Sequence, residues 1–276
     1  MMRGSSAAVP LRRSTRLLSA MATSKTPSAS KKVKKTTSAA RALTKMANTS
    51  AVQHKSKPGK IKDESGGAGE VLFKRGTLSR EFEQRIYKKG YSCVVGVDEA
   101  GRGPLAGPVV AAACYIPLDV EIEGIYDSKQ LNETQREALF EALTTHKDVQ
   151  YAVHVNCPAR IDEINILQAT LESMTKSVEA LNVHADYALI DGNKMPPLRI
   201  SGEFVVKGDS KVYAIAAASI IAKVTRDRLM VEYDKTWPAY HFAQHKGYGT
   251  RAHMAAIHTH GASPIHRMTF APLNQI

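Results

Sequence analysis

The stretch "VVGVDEAGRGPLAGPVV", residues 94–110, contains two apolar runs separated by adjacent carboxylates and a glycine-rich turn. Asp98 and Glu99 come directly after "VVGV", and Gly101 and Gly103 follow shortly after them. Two neighbouring carboxylates repel each other unless a cation or a shared proton compensates their charge. The stretch therefore predicts two buried strands, and it raises the question of what compensates the two acids between them.

The chain beyond about residue 76 alternates between strand-like and helix-like patterns. Apolar runs of the strand type occur at 91–97, 107–116, 149–156, 187–191 and 202–209. Helical spacing of apolar residues occurs at 77–90, 158–182 and 212–233. Asn132 and Gln135 have capping-box spacing at the start of one more helix, and two further helical stretches end the chain. This order predicts an α/β fold in which helices pack against a mixed β-sheet.

Acidic residues follow three of the apolar runs. Asp98 and Glu99 follow the first, Asp191 follows "YALI", and Asp209 follows "FVVKG". In open α/β sheets, loops at the strand ends bring side chains from separate strands together. Carboxylates gathered around one point repel strongly unless hard divalent cations lie among them, and a pair of metal ions suits in-line displacement at phosphorus. The pattern predicts a metal site formed by these four acids.

The glycines of the first turn have two expected consequences. Successive side chains of a strand point to opposite faces, so Asp98 and Glu99 share one site only if the strand breaks there. Gly101 and Gly103 permit such a break. They also leave backbone groups open to a ligand, because no Cβ shields them. We expect the strand to end at the acids and a substrate backbone to come close to the turn.

The positive charge of the chain lies almost wholly in its first part. The 276 residues have a formal net charge of +12, but residues 1–62 hold 15 Lys or Arg and no acid, which leaves 23 basic and 26 acidic residues for the remainder. Residues 1–75 lack the apolar area that would offset chain entropy, so we expect a disordered basic tail. Residues 76–276 are expected to form the folded domain, with a small helical C-terminal portion from about 234.

The tail also contains two possible address signals. Residues 1–24, "MMRGSSAAVPLRRSTRLLSAMATS", have the arginine- and serine-rich, acid-free composition of an organellar presequence. "KKVKK" at 31–35 is instead typical of nuclear import or of contact with phosphates, and a merely basic arm is the third interpretation. We expect an intracellular protein, with a mitochondrial location favoured and a nuclear one left open.

Cysteine and histidine usage argues against other kinds of site. Cys93, Cys114 and Cys157 are an odd number without CxxC spacing, which predicts reduced, packed thiols rather than disulfides or a cysteine-based zinc site. Six of the ten histidines fall between 241 and 266, but their spacing is irregular and no cysteine accompanies them. We expect hydrogen-bonding roles for three of these histidines, His245, His253 and His266. No apolar run approaches the length of a membrane span, so no membrane contact is expected.

Five motifs resemble those of a known family, in the same order along the chain. They are "DEAGRGPLAGPVV" at 98–110, "DSKQL" at 127–131, "LIDGNKMP" at 189–196, "KGDSKVYAIAAASIIAKVTRDR" at 207–228 and "HKGYGTRAH" at 245–253. They resemble ribonuclease HII, the type 2 ribonuclease H family, over roughly residues 91–270. The resemblance implies a ribonuclease H-like sheet and a two-metal active site. The spacing of the acids alone implies only a metal-dependent acidic site.

The resemblance implies a role for each matching residue. Asp98, Glu99, Asp191 and Asp209 match the carboxylates that bind two Mg²⁺ or Mn²⁺ ions and support catalysis. The backbone of Gly101, Arg102 and Gly103 matches the family turn that recognises the ribose 2′-OH, which distinguishes RNA from DNA. Tyr248 matches the tyrosine that stacks on the neighbouring sugar. Lys129 and Lys223 are expected phosphate contacts, since lysine serves as a point charge for phosphate.

The implied reaction is hydrolysis of a phosphodiester. The resemblance implies a ribonuclease H that cleaves the RNA strand of RNA/DNA hybrids and cuts 5′ of ribonucleotides embedded in duplex DNA, leaving 3′-hydroxyl and 5′-phosphate ends. Such an activity supports ribonucleotide removal and DNA replication or repair. We expect a monomer. The C-terminal "MTFAPLNQI" shows no clear sliding-clamp motif, so no clamp partner is expected through that end.

Several alternatives remain open from the residues alone. Tyr248 between two glycines is also typical of a loop aromatic that covers the core. Asp227, between Arg226 and Arg228, suggests an ion-paired structural acid rather than a metal ligand. A glycosidase also uses paired carboxylates but needs no further strand-end acids. A resolvase on the same fold would keep the acids without the "GRG" turn, and a non-catalytic nucleic-acid binder would tolerate loss of all four acids.

Overall fold

The elements of the computed structural model, which describes residues 78–275, follow the expected alternating order. The strands are β1 (Val94–Ala100), β2 (Val109–Tyr115), β3 (Gln150–Asn156), β4 (Tyr187–Asp191) and β5 (Ser201–Val205). The helices are α1 (Glu81–Tyr87), α2 (Glu133–Thr145), α3 (Pro158–Glu179), α4 (Tyr213–Thr236), α5 (Phe242–His245) and α6 (Arg251–His260). Short 3₁₀ turns occur at Gly208–Ser210, Pro238–Tyr240 and Leu273–Gln275. The predicted tail, residues 1–75, and its address signals lie outside the described residues.

The five strands form one mixed sheet in the order β3-β2-β1-β4-β5. Strand β1 is the middle strand, antiparallel to β2 and parallel to β4. In the β1–β4 ladder Val97 pairs with Ile190, so Asp98 and Asp191 are the next residues along their strands. The parallel pairing therefore carries acids from two distant parts of the chain to the same edge of the sheet. This arrangement confirms the predicted mixed sheet with flanking helices.

The two faces of the sheet are covered by different helices. Val95 and Val97 of β1 pack with Met174 and Val178 of α3 on one face. On the other face, Ala112 and Cys114 of β2 pack in one cluster with the apolar residues of α4 and α2. The alternation follows from the period of two in a strand, which sends neighbouring side chains to opposite faces. Because β1 is covered on both faces, its apolar run has no polar positions before Asp98.

Helix α4 lies directly on β1, because both elements carry small residues at their contact. A Cβ added at Gly96 would lie 2.1 Å from the backbone carbon of Ala214, so only glycine allows the helix to come this close. The alanine-rich first half of α4, from Tyr213 to Ala222, is buried. At its N-terminus, the buried Glu83 of α1 accepts a 2.8 Å hydrogen bond from the N–H of Ala214. This carboxylate satisfies one of the free N–H groups of the first helical turn.

Helix α3 differs from the single continuous helix that its periodicity predicts. Asn165 has φ 67° and ψ 162°, which interrupts the helix after its first two turns. The Asn165 side chain accepts a hydrogen bond from the N–H of Gln168 at 3.1 Å and so caps the segment that follows. The apolar spacing on either side of the interruption is preserved, which explains why periodicity alone did not reveal it.

The C-terminal part forms a second, smaller apolar cluster beside the sheet. Tyr240, Phe242 and Ile257 pack there against Met230, near the end of α4, and against Leu105 from the turn after β1. The C-terminal residues 268–275 belong to this part of the fold. Leu273 is buried within the cluster, and the backbone N–H groups of Met268 and Thr269 donate to the Asp162 carboxylate. None of the helices among residues 78–275 is long and apolar enough to cross a bilayer.

The close contact at Gly96 leads to a prediction about stability. Gly96→Ala forces the added methyl group into the backbone of α4, so we expect it to lower the free energy of unfolding by at least ~2 kcal/mol. Gly103→Ala is the matched control, because the same methyl group there meets only the Tyr248 ring edge at 3.7 Å and should change stability by less than about 0.5 kcal/mol. Urea unfolding of both variants measures this, and equal midpoints would contradict the packing described.

Candidate active site

Three carboxylates from two strands meet at the edge where β1 and β4 end. Oxygen atoms of Asp98, Glu99 and Asp191 all lie within 4.8 Å of one another. Asp98 is 4% exposed, and the other two acids are half-buried. The sheet register accounts for the pair Asp98 and Asp191, while Glu99 joins them because it directly follows Asp98. The predicted convergence of strand-end acids is therefore present for these three residues.

Strand β1 does not break at the acids, contrary to expectation. It continues to Ala100, which still pairs with Val110 of β2, and the turn begins only at Gly101, where φ is +94°. Asp98 Oδ1 accepts a 2.6 Å hydrogen bond from the N–H of Glu99, so the Asp98 side chain lies along the strand instead of projecting straight from it. This local bond, rather than a broken strand, allows adjacent residues to share one site.

The fourth predicted acid, Asp209, lies beside the three-carboxylate group. Asp191 Oδ1 accepts hydrogen bonds from the N–H groups of Gly208 at 2.6 Å and Asp209 at 3.4 Å, so the 3₁₀ turn holds the Asp191 side chain in place. The buried Asp209 carboxylate accepts a 2.6 Å bond from Lys129 Nζ. The Lys129 ammonium group therefore lies directly beside the Asp209 carboxylate.

Burial and mutual repulsion both oppose ionisation of the clustered acids. Burial, followed by the charges of Glu99 and Asp191, raises the pKa of Asp98 well above its ordinary value. Burial raises the pKa of Glu99 too, and the Arg102 guanidinium at 3.3 Å partly opposes this shift. Burial and the neighbouring Asp209 charge raise the pKa of Asp191. The cluster has an excess of negative charge that the neighbouring cationic side chains do not fully compensate.

This donor set fits hard divalent cations. The cluster supplies only carboxylate oxygens, which are the ligands that Mg²⁺ and Mn²⁺ favour over the nitrogen and sulfur ligands of zinc sites. Its spacing allows one ion to contact several of the carboxylates at once. A cation placed there would also remove the repulsion that raises the three pKa values. The side chains of Asp98, Glu99 and Asp191 would hold such an ion, with Asp209 beside them.

The cluster opens into a cleft that contains nearly all of the other predicted site residues. Gly101, Arg102, Gly103, Lys129, Lys223 and Tyr248 line this cleft together with Asp98, Glu99 and Asp191. Asp209 is not among the lining residues and reaches the site through Lys129. The structure therefore gathers side chains from five separate motifs around one concave surface.

Besides Ala100, three polar lining residues were missed by the sequence analysis. Ser128 and Ser219 are buried, and their hydroxyl groups are joined by a 2.6 Å hydrogen bond at the base of the cleft. Arg226 contributes a buried guanidinium group. Each lies within a motif already noted, but serine and arginine at these positions have no pattern of their own that indicates a site.

The glycine turn and the tyrosine loop face each other across the cleft. Gly101 is left-handed, and a Cβ there would lie 2.0 Å from Arg226 Nε, so glycine is required for folding. Gly103 has an ordinary backbone conformation, and a Cβ there would point toward the Tyr248 ring at 3.7 Å. Tyr248 is 47% exposed, which argues against the alternative in which it covers the core. Gly103 and the exposed Tyr248 ring therefore lie close together in the wall of the cleft.

The two predicted phosphate-binding lysines have different surroundings. Lys129 contacts Asp209, as described above, and its own N–H donates to Asp127. Lys223 lies one helical turn before Asp227, and its Nζ forms a 2.8 Å ion pair with that carboxylate. The predicted ion pairing of Asp227 is thus confirmed, but its partner is Lys223 rather than the adjacent arginines. The i,i+4 spacing on α4 accounts for this choice.

The histidines form a buried hydrogen-bond chain, as predicted. Ser263 donates from its N–H to His266 Nδ1 at 2.8 Å, and the two Nε2 atoms of His266 and His253 are 3.0 Å apart. His253 Nδ1 then lies 2.9 Å from the carbonyl oxygen of Tyr248. His245 Nε2 lies 2.7 Å from the carbonyl oxygen of Tyr240. These contacts tie the C-terminal segment to the loop that carries Tyr248.

Comparisons with known proteins identify the family of this chain. Residues 95–273 match the family model described as Ribonuclease HII. A ribonuclease HII of Desulfitobacterium hafniense is 50% identical over 198 residues, which cover 72% of this chain and 75% of that protein. A ribonuclease HII of Geobacter sulfurreducens is 53% identical over 190 residues, which cover 69% of this chain and 87% of that protein.

A solved structure gives the same result for the fold. The ribonuclease H2 from Pyrococcus horikoshii OT3 superimposes with a TM-score of 0.56 at 30% identity, and the match covers 67% of this chain and 96% of that one. The range of the family-model match, residues 95–273, is close to that over which the motifs resemble the family.

The raised pKa of Asp98 predicts how stability depends on pH in the presence of a chelator. The folded-state pKa lies above the ordinary 3.8, so the free energy of unfolding falls as the pH rises from about that value through the folded-state pKa. The Asp98→Asn substitution removes the ionisable group and, with it, this fall in the free energy of unfolding. We expect its melting temperature to match that of the wild type at pH 3.5 or below and to exceed it at neutral pH.

Added Mn²⁺ should reverse that order. Binding to the folded state alone raises the melting temperature, and the wild-type cluster has one more carboxylate for the ion than Asp98→Asn. Thermal melts at several pH values, with chelator or with Mn²⁺, measure both effects. An Asp98→Asn variant that is less stable than the wild type in chelator at neutral pH would contradict the repulsion described.

Proposed function

The chain belongs to the ribonuclease HII family, and we propose that it removes ribonucleotides from nucleic-acid duplexes. As a member of that family it is a ribonuclease H endonuclease. In the proposed reaction it cleaves the RNA strand of RNA/DNA hybrids and the phosphodiester 5′ of a ribonucleotide in duplex DNA, leaving 3′-hydroxyl and 5′-phosphate ends. One observation carries this proposal: the carboxylate cluster shares one cleft with the Gly101–Gly103 turn and Tyr248.

The proposed active form holds two Mg²⁺ or Mn²⁺ ions. Asp98, Glu99 and Asp191 would bind them, with Asp209 completing the set once Lys129 moves away from it. When bound, such ions activate the attacking water and stabilise charge on the leaving 3′ oxygen. The carboxylates themselves supply the negative charge that selects and orients the ions. Their burial excludes bulk water from this part of the cleft.

The two lysines are suited to hold the phosphates of the cleaved strand. Lys129 contacts Asp209 at the edge of the cluster, and its ammonium group is close enough to exchange that contact for a substrate phosphate. Lys223 lies on the α4 side of the cleft, where Asp227 holds its side chain. A phosphate that replaces part of these contacts keeps the charge of each lysine compensated.

The glycine turn and Tyr248 are suited to recognise a ribose. Gly103 carries no side chain, so a sugar hydroxyl group can approach the backbone N–H groups of the turn. The exposed Tyr248 ring lies on the opposite side of the same opening, where it can stack on the neighbouring sugar. Reading of the 2′-OH at this position would separate ribonucleotides from deoxyribonucleotides.

A cleavage assay tests the proposed function. The substrates are a DNA duplex with one ribonucleotide, an RNA/DNA hybrid and an all-DNA duplex, each with Mg²⁺, Mn²⁺ or chelator. We expect metal-dependent cuts 5′ of the ribonucleotide and no cleavage of the all-DNA duplex. Asp98→Asn should lose on the order of 10³-fold in rate, because a metal-binding carboxylate supports several kcal/mol of charge stabilisation. An all-DNA four-way junction is a fourth substrate, and its cleavage would instead indicate a resolvase. Binding of the duplexes in a gel-shift assay without cleavage would indicate a non-catalytic binder.

Substitutions in the turn and the loop test how the ribose is recognised. Gly103→Ala should fold normally, because its methyl group meets only the Tyr248 ring edge, but should lose activity since that methyl group fills the space proposed for the sugar. Tyr248→Ala should lose stacking worth about 1–3 kcal/mol, and Tyr248→Phe should keep most of it. Single-turnover rates and melting temperatures of the three proteins are the measurements. Normal rates from folded Gly103→Ala and Tyr248→Ala would refute this recognition model.

Two proposals concern partners. We propose that the protein acts as a monomer and that its C-terminal end does not bind a sliding clamp. The second is supported by the burial of Leu273 and by the hydrogen bonds from residues 268 and 269 to Asp162, which hold that end against the body of the protein.

We also propose that the basic N-terminal segment sends the protein to mitochondria, with the nucleus as the second destination. Residues 1–62 carry 15 basic residues and no acid, as a presequence requires. Fluorescent fusions of the full chain, with and without residues 1–24, test this location in cells. A fusion that enters mitochondria equally well without these residues would refute it.

A further inference from the structure

The turn at Gly101–Gly103 is held from below by a buried guanidinium group. Arg267 is fully buried, and its Nη atoms donate to the carbonyl oxygens of Gly101 at 2.6 Å and Arg102 at 2.9 Å. The same side chain also donates to the carbonyls of Gly107 at 2.9 Å and Pro108 at 3.1 Å. One side chain therefore joins both ends of the segment between β1 and β2.

The position of Arg267 is itself fixed by the C-terminal segment. Its backbone N–H donates to the carbonyl of Leu105 at 2.9 Å, and the adjacent His266 forms an isolated antiparallel bridge with Ala106. The Phe270 ring lies 5.0 Å from the guanidinium carbon. The segment after α6 thus acts as a rigid support under the turn.

Backbone carbonyl groups are the direct partners of the Arg267 guanidinium, and the charge of Asp162 only partly opposes the effect of burial on its pKa. Within residues 78–275 Arg267 makes no ion pair with an acid within 4.0 Å, and burial lowers its pKa to about 9. A buried cation of this kind is costly unless other groups satisfy it, and here backbone carbonyls do so. Such a cost suggests a role beyond packing.

The direction of these hydrogen bonds determines where the N–H groups of the turn point. In a trans peptide the C=O and N–H groups point in opposite directions. The carbonyl of Gly101 belongs to the same peptide as the N–H of Arg102, and the carbonyl of Arg102 belongs to the same peptide as the N–H of Gly103. Because Arg267 draws both carbonyls inward, both N–H groups point outward, where residues 101–103 line the cleft. Neither N–H donates to another residue of the described part of the chain.

We propose that Arg267 is a specificity-determining positioning residue, which aims the N–H groups of Arg102 and Gly103 at the ribose hydroxyl of the substrate. This inference rests on the proposed function and adds a residue that does not touch the substrate. Two successive N–H groups held in one orientation form a donor pair that needs no reorganisation when an oxygen arrives. A planar fork is required, because a lysine ammonium cannot reach the carbonyls at both ends of the segment together.

The test compares affinities for two duplexes in an Asp98→Asn background, which prevents cleavage. The measured quantity is the ratio of the Kd for an all-DNA duplex to the Kd for the same duplex with one ribonucleotide. We expect Arg267→Lys to lower this ratio on the order of tenfold, as loss of two hydrogen bonds implies, with the all-DNA Kd little changed. Arg267→Gln is the second variant, since a neutral amide carries no cost of charge burial and so favours folding. It should lower the ratio similarly.

Two control variants separate positioning from a general loss of stability. Arg80→Lys is the matched control, because the Arg80 side chain is only 13% exposed and its guanidinium group also donates to two backbone carbonyls, those of Ile116 and Val120, which do not line the cleft. It should lose melting temperature and keep the ratio. Arg199→Lys is the exposed control and should change neither. A purely structural role of Arg267 would lower the active fraction equally for both duplexes.

The outcomes distinguish this inference from the function on which it rests. If the Asp98→Asn protein binds the ribonucleotide-containing duplex no more tightly than the all-DNA duplex, the proposed function and the role of Arg267 are both overturned. If the Asp98→Asn protein binds the ribonucleotide-containing duplex more tightly, and the Kd ratio is unchanged in Arg267→Lys and Arg267→Gln, only the role of Arg267 is overturned. A ratio that falls in the Arg267 variants but not in Arg80→Lys supports the proposal.

Discussion

The repulsion among Asp98, Glu99 and Asp191 is the constraint on which the rest of the site depends. Three carboxylates whose oxygens lie within 4.8 Å of one another, at a largely buried edge of the sheet, are unfavourable without cations. The fold brings them together through the parallel pairing of β1 and β4, and the close packing of α4 on Gly96 holds β1 in that position. The favourable free energy of core packing therefore offsets the electrostatic repulsion among these carboxylates.

A buried positive charge, that of Arg267, supports the side of the cleft that is proposed to recognise the ribose. Arg267 lies under the glycine turn and binds carbonyl groups rather than an acid, so its charge does not neutralise the carboxylate cluster. The chain of His266 and His253 extends the same support to the carbonyl of Tyr248 on the other side. The C-terminal segment thus connects the two elements that face the proposed ribose position, although neither its arginine nor its histidines line the cleft with the turn.

This division places metal binding and sugar recognition on different parts of the fold. The carboxylates are carried by the strands of the sheet, whereas the turn and the tyrosine loop depend on the C-terminal part. A change in one part can therefore alter selectivity while leaving ion binding intact, or the reverse. Rigid strands suit the narrow distances that ion binding needs, and a supported turn suits recognition of a backbone-sized group.

The sequence by itself determined the order of strands and helices, the position of the acids after apolar runs, and the family, because each is a local pattern. Periodicity of apolar residues follows from helix and strand geometry, and the five motifs are contiguous stretches. Only the tertiary structure decided that β1 continues to Ala100, that Asp209 lies in a 3₁₀ turn beyond the end of β5, and that Asp209 contacts Lys129. It alone revealed Arg267, which is 165 residues from the carbonyl of Arg102 that it holds. Contacts of this kind depend on how separate elements pack, and no spacing along the chain records them.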